Sequence, residues 1–146
     1  GVSNFCQPCL ECLAKTSSVT PAINQLQLHI GMPGEDPNGL ISYSHSKGIV
    51  VQAYSPNGGD AHAALLNAPE LIVIAKNHNV STSAVCLKWV LQLGHAMCTS
   101  TINPAYMKED LNVFESVWKL TKSEMEILQT LDVAPDDPVK SMCLFK

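Results

Sequence analysis

The chain contains no arginine: all nine of its basic residues are lysines, against 13 acidic residues, so the formal net charge is −4. Arginine supplies the planar, two-pronged donor that binds phosphate groups and base edges in many contacts with nucleic acids. A chain that lacks arginine and carries a negative net charge has little of the basic surface that such binding requires. We therefore do not expect nucleic acid as a partner.

Long hydrophobic runs are missing as well. No stretch approaches the roughly 20 apolar residues that a membrane-spanning helix needs, although 46% of the 146 residues are hydrophobic. This composition and length are typical of one globular domain. The opening residues, GVSNF, show neither the basic region nor the apolar stretch of a signal peptide. We expect an intracellular location, cytoplasmic by default, with an organelle as the alternative if a targeting segment lies outside the chain.

Six cysteines are present, three of them spaced three residues apart. Thiols at that spacing on one helical face do not pair readily with each other, so we expect reduced helical thiols in place of a disulfide scaffold. The spacing is similar to the start of a ferredoxin cluster motif, but the fourth cysteine followed by proline is absent. We expect no metal site there. The cysteines are Cys6, Cys9, Cys12, Cys86, Cys98 and Cys143.

The histidines do not indicate zinc, because none of the five has an i, i+4 partner or a companion carboxylate at the spacing of a zinc site. His29 follows a predicted strand, where we expect it to be packed and hydrogen-bonded. The five are His29, His45, His62, His78 and His95.

Short β-branched runs alternate with stretches of helical period, which is typical of repeated strand–helix units around a parallel sheet. We count four such units. Gly48 is the expected left-handed cap of the second helix, and Ser81 and Thr121 are expected N-caps, the latter with Glu124 in a capping box. One domain is expected over 1–132, followed by an irregular tail over 133–146. The predicted strands are 1–5, 21–30, 49–54 and 95–101, and the predicted helices are 7–15, 38–47, 69–79, 82–93, 104–114 and 122–131.

Four segments occur in the order and at the spacing of a known family. They are GVSNF at 1–5, PAINQLQLH at 21–29, VVQAYSPNG at 50–58 and KWVLQLG at 88–94. Together they resemble the second half of the aldo-keto reductase barrel. The resemblance implies an α/β fold, the C-terminal half of a (β/α)8 TIM barrel with about four βα units and the closing C-terminal helices. In such barrels the sites lie at the carboxyl ends of the strands.

The resemblance implies a nicotinamide site at these strand ends. Ser3 and Asn4 match the family pair that binds the carboxamide, Gln25 matches the side chain that completes that contact, and Tyr54 matches the aromatic that stacks on the ring. Amide side chains supply the donors and acceptors that a carboxamide needs, and a ring offers a flat apolar face. Considered alone, the Ser-Asn pair would be an ordinary turn and Tyr54 a core residue.

The family's phosphate-binding segments are matched less well. Ser55 and Gly58 lie in the loop, 55–59, that resembles the segment approaching the pyrophosphate, where glycine permits close backbone approach. At the site for the adenosine phosphate, Ser100 stands where the family has Lys, and Thr101 matches its Ser. Tyr106 stands in place of Arg and Asp110 in place of Asn.

The loss of both cations implies weakened binding of NADPH. A 2′-phosphate carries close to two negative charges, and each charge-assisted hydrogen bond to it is worth roughly 1.5–3 kcal/mol. Asp110 adds a like charge, while Lys108 is not at the matching position. The cofactor implied by the resemblance is NADPH or NADH, with a weakened phosphate clamp.

The family's catalytic Asp, Tyr, Lys and His belong to the other half of the barrel. None of Tyr43, Tyr54 and Tyr106 lies in a segment that resembles the catalytic one, so the chain is expected to be catalytically incomplete as given. Two hypotheses follow. The chain is the cofactor-binding half of an NAD(P)H-dependent carbonyl reductase, or it is a non-catalytic structural or interaction subunit of a larger assembly.

A half barrel is expected to need a partner. It has two open strand edges and one face that we expect to be apolar, and such edges associate unless they are covered. The cover would be the other barrel half, a second copy of the chain or another protein. A direct membrane span is not expected.

Overall fold

The structure is a computed structural model that describes residues 1–32, 36–115 and 117–133. The predicted irregular tail lies outside these residues, apart from Val133. The strands are β1 (Val2–Ser3), β2 (Ile23–Gln27), β3 (Val50–Tyr54) and β4 (Ala96–Met97). The helices are α1 (Gln7–Thr16), α2 (Leu40–Ser46), α3 (His62–Leu66), α4 (Pro69–His78), α5 (Thr82–Gln92), α6 (Pro104–Glu115) and α7 (Lys122–Gln129), with 3₁₀ turns at Pro37–Gly39 and Gly59–Ala61.

The four strands form one parallel sheet in the order β1-β2-β3-β4. Ser3 of β1 pairs with Gln25 of β2, and Gln25 pairs with Gln52 of β3. Gln52 in turn pairs with Ala96 of β4. Because all strands run in the same direction, their carboxyl ends meet at one edge of the sheet. The sequential order with a helix after each strand is the arrangement of a barrel sheet opened along two edges.

The core lies between one face of this sheet and the helices. Alternate strand residues supply its sheet side, because successive side chains of a strand point to opposite faces. Leu71 of α4 and Trp89 of α5 are among the buried helix residues that pack against it. The strand members of the core are Leu26, Val51 and Ala53, and Leu28 joins them directly after β2.

The opposite face of the sheet is not the apolar surface that the sequence predicted. Its side chains include Gln25, Gln27 and Gln52, which alternate with the buried residues and are partly exposed. Gln25 donates to the side-chain oxygen of Gln52 at 2.7 Å. The Gln27 side chain lies 3.2 Å from Nε2 of His29. The surface to be covered on this face is therefore mixed in polarity.

The predicted caps are present. Gly48 follows Lys47, the C-cap of α2, and has a φ of +72°. The Ser81 hydroxyl accepts a hydrogen bond from the Ala84 N–H at 3.0 Å. Thr121 and Glu124 form the reciprocal capping box of α7. The structure confirms these three predictions. Caps can be predicted from sequence because they depend on residues only three or four positions apart.

The predicted strands were too long, and one helix was missed. Strands β1 and β4 have only two residues each. The apolar runs in the sequence from which they were predicted are longer. The helix α3 lies between the predicted loop and the next predicted helix, 69–79, where no helix was predicted. It has five residues, too few for helical periodicity to identify it.

The KWVLQLG segment of α5 holds the last two helices in place. Lys88 is buried, and its Nζ donates to the carbonyl oxygen of Val113 in α6 at 2.9 Å. The Gln92 amide donates to the Leu120 carbonyl at 3.0 Å and accepts from the Leu120 N–H at 2.6 Å. Within the described ranges, no helix combines the length and apolar character required to cross a bilayer.

Candidate functional site

The turn after β1 presents Ser3 and Asn4 at the carboxyl edge of the sheet. The Ser3 hydroxyl donates to the Gln25 carbonyl at 3.1 Å, and the Asn4 N–H donates to the same oxygen at 2.9 Å. Asn4 has a φ of +56°, a left-handed conformation that asparagine tolerates better than most residues. Its Oδ1 is buried and has no hydrogen-bond partner among the described residues. The turn therefore holds an unsatisfied acceptor at the strand end.

Asn24 fixes this turn from behind. It is fully buried in β2, where its side-chain nitrogen donates to the Phe5 carbonyl at 2.8 Å. Its Oδ1 also accepts from the Phe5 N–H at 3.4 Å. Sequence reasoning missed this residue. The available signal was an amide at an inward position of an otherwise apolar alternation, since a buried amide requires partners.

Gln25 connects three neighbouring strand ends. Its Nε2 donates to Gln52 of β3 and lies 3.6 Å from the sulfur of Cys98, which directly follows β4. The Cys98 N–H donates to the Ala53 carbonyl at 2.9 Å, which holds Cys98 against β3. The residues that resemble a carboxamide site are thereby linked to the loops after β3 and β4.

Tyr54 ends β3 and is half-buried. Ser55 follows with a φ of +52°, and its carbonyl accepts from the Gly58 N–H at 3.0 Å to close the turn. Gly58 is buried with a φ of +100°, and a Cβ there would lie 3.1 Å from the Cα of His62. Gly59, not Gly58, lines the adjacent cavity.

A cavity of about 700 Å³ lies beyond these strand ends. The loop after β3, the start of α5, the segment after β4 and one side of α6 surround it. The sequence-predicted residues Ser55, Ser100, Thr101 and Asp110 all line this cavity. Its other lining residues are Pro56, Asn57, Gly59, His62, Leu66, Ser81, Thr82, Ser83, Cys98, Thr99, Tyr106 and Glu109.

Hydroxyl groups dominate the polar part of this lining. The first residues of α5, together with its cap Ser81, place hydroxyls and a helix N-terminus at the cavity, where anions are favoured. Asn57 donates to the Ser83 hydroxyl at 2.8 Å, while its own Oδ1 is buried and has no partner among the described residues. Asn57 and Ser83 were not predicted, because nothing in their local sequence distinguishes them from ordinary loop and helix residues.

The charges at the cavity are negative. Glu109 and Asp110 of α6 line it, and no lysine is among its lining residues in the described chain. The Thr99 hydroxyl donates to Asp110 Oδ2 at 2.9 Å. Tyr106 also lines the cavity, with its side chain more than half exposed. Any phosphate bound here would meet hydroxyl donors and two carboxylates.

The histidines and cysteines do not form a metal cluster within the described residues. His29 is buried, with Nδ1 2.8 Å from the Ile30 carbonyl and Nε2 3.2 Å from the Gln27 amide nitrogen. His78 has a carboxylate partner that its local sequence did not indicate, because its Nε2 donates to Glu124 at 3.0 Å across 46 positions.

Comparison with known proteins agrees with this architecture. The family model "Aldo/keto reductase family" matches residues 1–133. The "Glycerol 2-dehydrogenase (NADP(+))" of Saccharomyces cerevisiae is 38% identical over 116 residues, covering 78% of this chain and 36% of the yeast protein.

Two solved structures are similar in fold. The crystal structure of an aldo/keto reductase from Brucella melitensis is 33% identical with a TM-score of 0.76, covering 90% of this chain and 47% of that one. An aldo-keto reductase complexed with NADPH is 24% identical with a TM-score of 0.77, covering 90% of this chain and 41% of that one. The chain spans less than half the length of each of these relatives. The predicted half barrel is confirmed, and the chain belongs to the aldo/keto reductase family.

Proposed function

We propose that this chain is the cofactor-binding half of a nicotinamide-dependent carbonyl reductase. The observation that carries the proposal is the continuous polar surface from the turn after β1, through Gln25 and Cys98, to the cavity between β3, β4 and α6. An elongated ligand with an amide at one end and phosphates at the other would match this order of groups. The yeast relative named above is an NADP(+) enzyme, and one similar structure was solved with NADPH.

The amide end of the surface suits a carboxamide. Asn4 Oδ1 is a buried acceptor that has no partner within the described part of the chain, and a carboxamide NH₂ would satisfy it. The Gln25 side chain and the Ser3 hydroxyl add groups that both donate and accept. Tyr54 offers a ring face beside them. A bound nicotinamide would supply hydride to a carbonyl carbon, while these side chains would bind and orient it.

The phosphate end suits a diphosphate better than an additional 2′-phosphate. The N-terminus of α5 and the surrounding hydroxyls favour one anionic group, but Glu109 and Asp110 oppose further negative charge. Ser100 and Tyr106 occupy the positions matched to the family's two cations and carry no charge. We therefore propose that the chain binds NADH at least as well as NADPH.

Proton transfer to the carbonyl oxygen is assigned to residues outside this half. Tyr43 lies on α2, and Tyr106 of α6 lines the cavity at the proposed phosphate end. Tyr54 is at a strand end, but there it is assigned to ring stacking. In this proposal the chain binds and orients the cofactor, and the complementary half of the barrel supplies the acid.

A second candidate is a non-catalytic structural or interaction subunit. The acidic lining of the cavity, which includes no lysine among the residues that the structure describes, favours it, since such a lining is a poor phosphate site. The two candidates differ in whether nicotinamide dinucleotides bind. Reduction of a generic aldehyde by this chain alone would contradict the non-catalytic candidate.

Isothermal titration of the chain with NADH and with NADPH tests the proposal. We expect NADH to bind, and the Gln25→Met variant to bind it about tenfold more weakly, because one or two hydrogen bonds worth roughly 1–1.5 kcal/mol are removed. Gln7→Met is the matched control, since Gln7 is exposed on α1 and its side chain donates to Glu11 of the same helix. Absence of binding by both nucleotides to the folded chain would contradict the proposal and favour the second candidate.

A further inference from the structure

The cavity at the proposed phosphate end contains one imidazole, that of His62. Among the lining residues that the structure describes, His62 is the only side chain that can carry a positive charge, since no lysine lines the cavity and the chain contains no arginine. It begins α3 and is exposed to solvent. Whether the cavity attracts or repels an anion therefore depends on the protonation of this ring.

The loop after β3 holds the His62 ring in one orientation. Its Nδ1 lies 2.9 Å from the carbonyl oxygen of Asn57. A carbonyl oxygen only accepts hydrogen bonds, so Nδ1 carries a proton, and Nε2 of the neutral ring is an acceptor without a proton. The Asn57 side chain in turn donates to the Ser83 hydroxyl in the first turn of α5 at 2.8 Å. These bonds connect the imidazole to the helix N-terminus on the other side of the cavity.

The close approach of His62 to this loop depends on Gly58. A Cβ at Gly58 would lie 3.1 Å from the Cα of His62 and 3.2 Å from its nitrogen. The Gly58 carbonyl also accepts from the Ala61 N–H at 2.8 Å. His62 is thereby fixed through its backbone as well as through its ring. A side chain that is already fixed loses little conformational freedom when a ligand binds.

We propose that His62 is a pH-dependent ligand for the diphosphate of the dinucleotide, a role that rests on the cofactor-binding function proposed above. When Nε2 takes up a proton, the ring becomes a cation with a second N–H donor, while Nδ1 keeps its bond to Asn57. A charge-assisted hydrogen bond from Nε2 to a phosphate oxygen then adds to the hydroxyls and the N-terminus of α5. In the neutral ring, Nε2 presents a lone pair that a phosphate oxygen repels.

The other titratable groups around the cavity are acidic or neutral. Asp60 lies two residues before the imidazole in the 3₁₀ turn, and Glu109, Asp110 and Tyr106 face the cavity from α6. Cys98 adds a thiol from the segment after β4, while the lining residues of α5 contribute hydroxyls. A carboxylate that took up a proton would also favour an anion. The experiment must therefore separate the imidazole from the carboxylates.

Isothermal titration of the full chain with ADP-ribose and with NAD⁺ between about pH 5.5 and 8 tests the proposal. Both ligands carry a diphosphate diester whose charge is constant over this range, and ADP-ribose lacks the nicotinamide. We expect the affinity for each to rise about five- to tenfold toward acid pH, with uptake of up to one proton per bound ligand. Buffers of different ionisation enthalpy count that proton, and circular dichroism at each pH checks the fold.

Two substitutions of His62 separate its charge from its shape. His62→Gln should bind both ligands with the parent's affinity at the alkaline end and without the rise toward acid pH. His62→Lys should bind at the alkaline end as tightly as the parent does at the acid end, because lysine is charged throughout this range. His45→Gln is the matched control, since His45 is exposed on α2 and is not among the lining residues.

The outcomes distinguish this proposal from the proposed function on which it rests. A parent-like pH dependence in His62→Gln would overturn it and assign the proton to a carboxylate. An affinity of the parent chain that is constant across the range would also overturn it, while leaving the cofactor-binding function intact. Absence of binding by both ligands at every pH would overturn both.

Discussion

The hydroxyl of Thr99, two residues after β4, donates to the carboxylate of Asp110 in α6 at 2.9 Å. This bond holds a negative charge at the cavity, beside Glu109 and close to Ser100 in the lining. The site that matches the family's phosphate clamp therefore contains a hydroxyl–carboxylate pair in place of cations. The effect of this pair on phosphate binding can be measured by introducing the two cations at the matched positions.

The double substitution Ser100→Lys and Tyr106→Arg is expected to raise NADPH affinity by about 10²-fold, because each charge-assisted hydrogen bond adds roughly 1.5 kcal/mol at such exposed positions. NADH affinity should change much less, since NADH lacks the 2′-phosphate. Isothermal titration at constant ionic strength measures both. The uncharged pair Ser100→Gln and Tyr106→Leu is the control. An equal gain for both nucleotides would mean that the cations act on the diphosphate.

Glu124 is expected to stabilise the contact between α7 and α4. Burial alone would raise the pKa of its carboxyl group, but hydrogen bonds from the Thr121 N–H, His78 and the Thr121 hydroxyl outweigh burial, so the pKa is lowered from 4.5. Glu124→Gln should lower the free energy of unfolding at neutral pH by roughly 1–2 kcal/mol, because a charged acceptor and half of a capping box are removed.

The sign of the pH dependence follows from the lowered pKa. The stabilisation by Glu124 is present above 4.5 and is lost as the pH falls through the folded-state value. In urea unfolding across the acid range, the free energy of unfolding should therefore fall less in Glu124→Gln than in the parent chain. Glu126→Gln is the control, since Glu126 is 61% exposed and lies 3.8 Å from Lys122. If the free energy of unfolding fell equally with decreasing pH in the parent chain and in Glu124→Gln, Glu124 would not be the source of the acid sensitivity.

His95 is expected to make the fold sensitive to mild acid. Burial lowers the pKa of His95 from 6.5, the neighbouring His45 lowers it further, and Asp36 opposes this by raising it. The folded chain therefore takes up the proton less readily than the unfolded chain. Stability should fall as the pH drops from 6.5 to the folded-state value, by at most about 1.4 kcal/mol per pH unit.

His95→Phe should remove this pH dependence, because the Nδ1 of His95 is buried without a partner among the described residues and phenylalanine carries no polar atom. Chemical unfolding at pH values on both sides of 6.5 measures the effect. His62→Phe provides the comparison at an exposed position. Retention of the parent pH profile in His95→Phe would assign the effect to another group.

Gly58 is expected to tolerate no side chain. A Cβ there would lie 3.1 Å from the Cα of His62 and 3.2 Å from its nitrogen, and the φ of +100° is unfavourable for other residues. Gly58→Ala should cost roughly 2–4 kcal/mol from the left-handed backbone and from overpacking together. Gly94→Ala, with a φ of +82° in open space, should cost only the backbone part. If Gly58→Ala and Gly94→Ala lost equal stability in thermal unfolding, the close contact with His62 would add no cost of its own.

Local sequence was sufficient for the features that depend on a few neighbouring residues. The Ser81 and Thr121 caps and the left-handed Gly48 were predicted because their hydrogen bonds and backbone sterics involve positions three or four apart. The short helix α3 was missed because five residues show no period. The strand lengths were overestimated because apolar character does not reveal where the neighbouring strand ends.

The sequence by itself determined the family, the parallel half barrel and the strand-end positions, because the order of four motifs and the alternation of apolar residues are properties of the linear chain. Only the tertiary structure decided which side chains meet. Gln25 reaches Cys98 across 73 positions, and His78 reaches Glu124 across 46. Such contacts depend on strand register and helix packing, which place residues by geometry, while the linear sequence specifies only their separation along the chain.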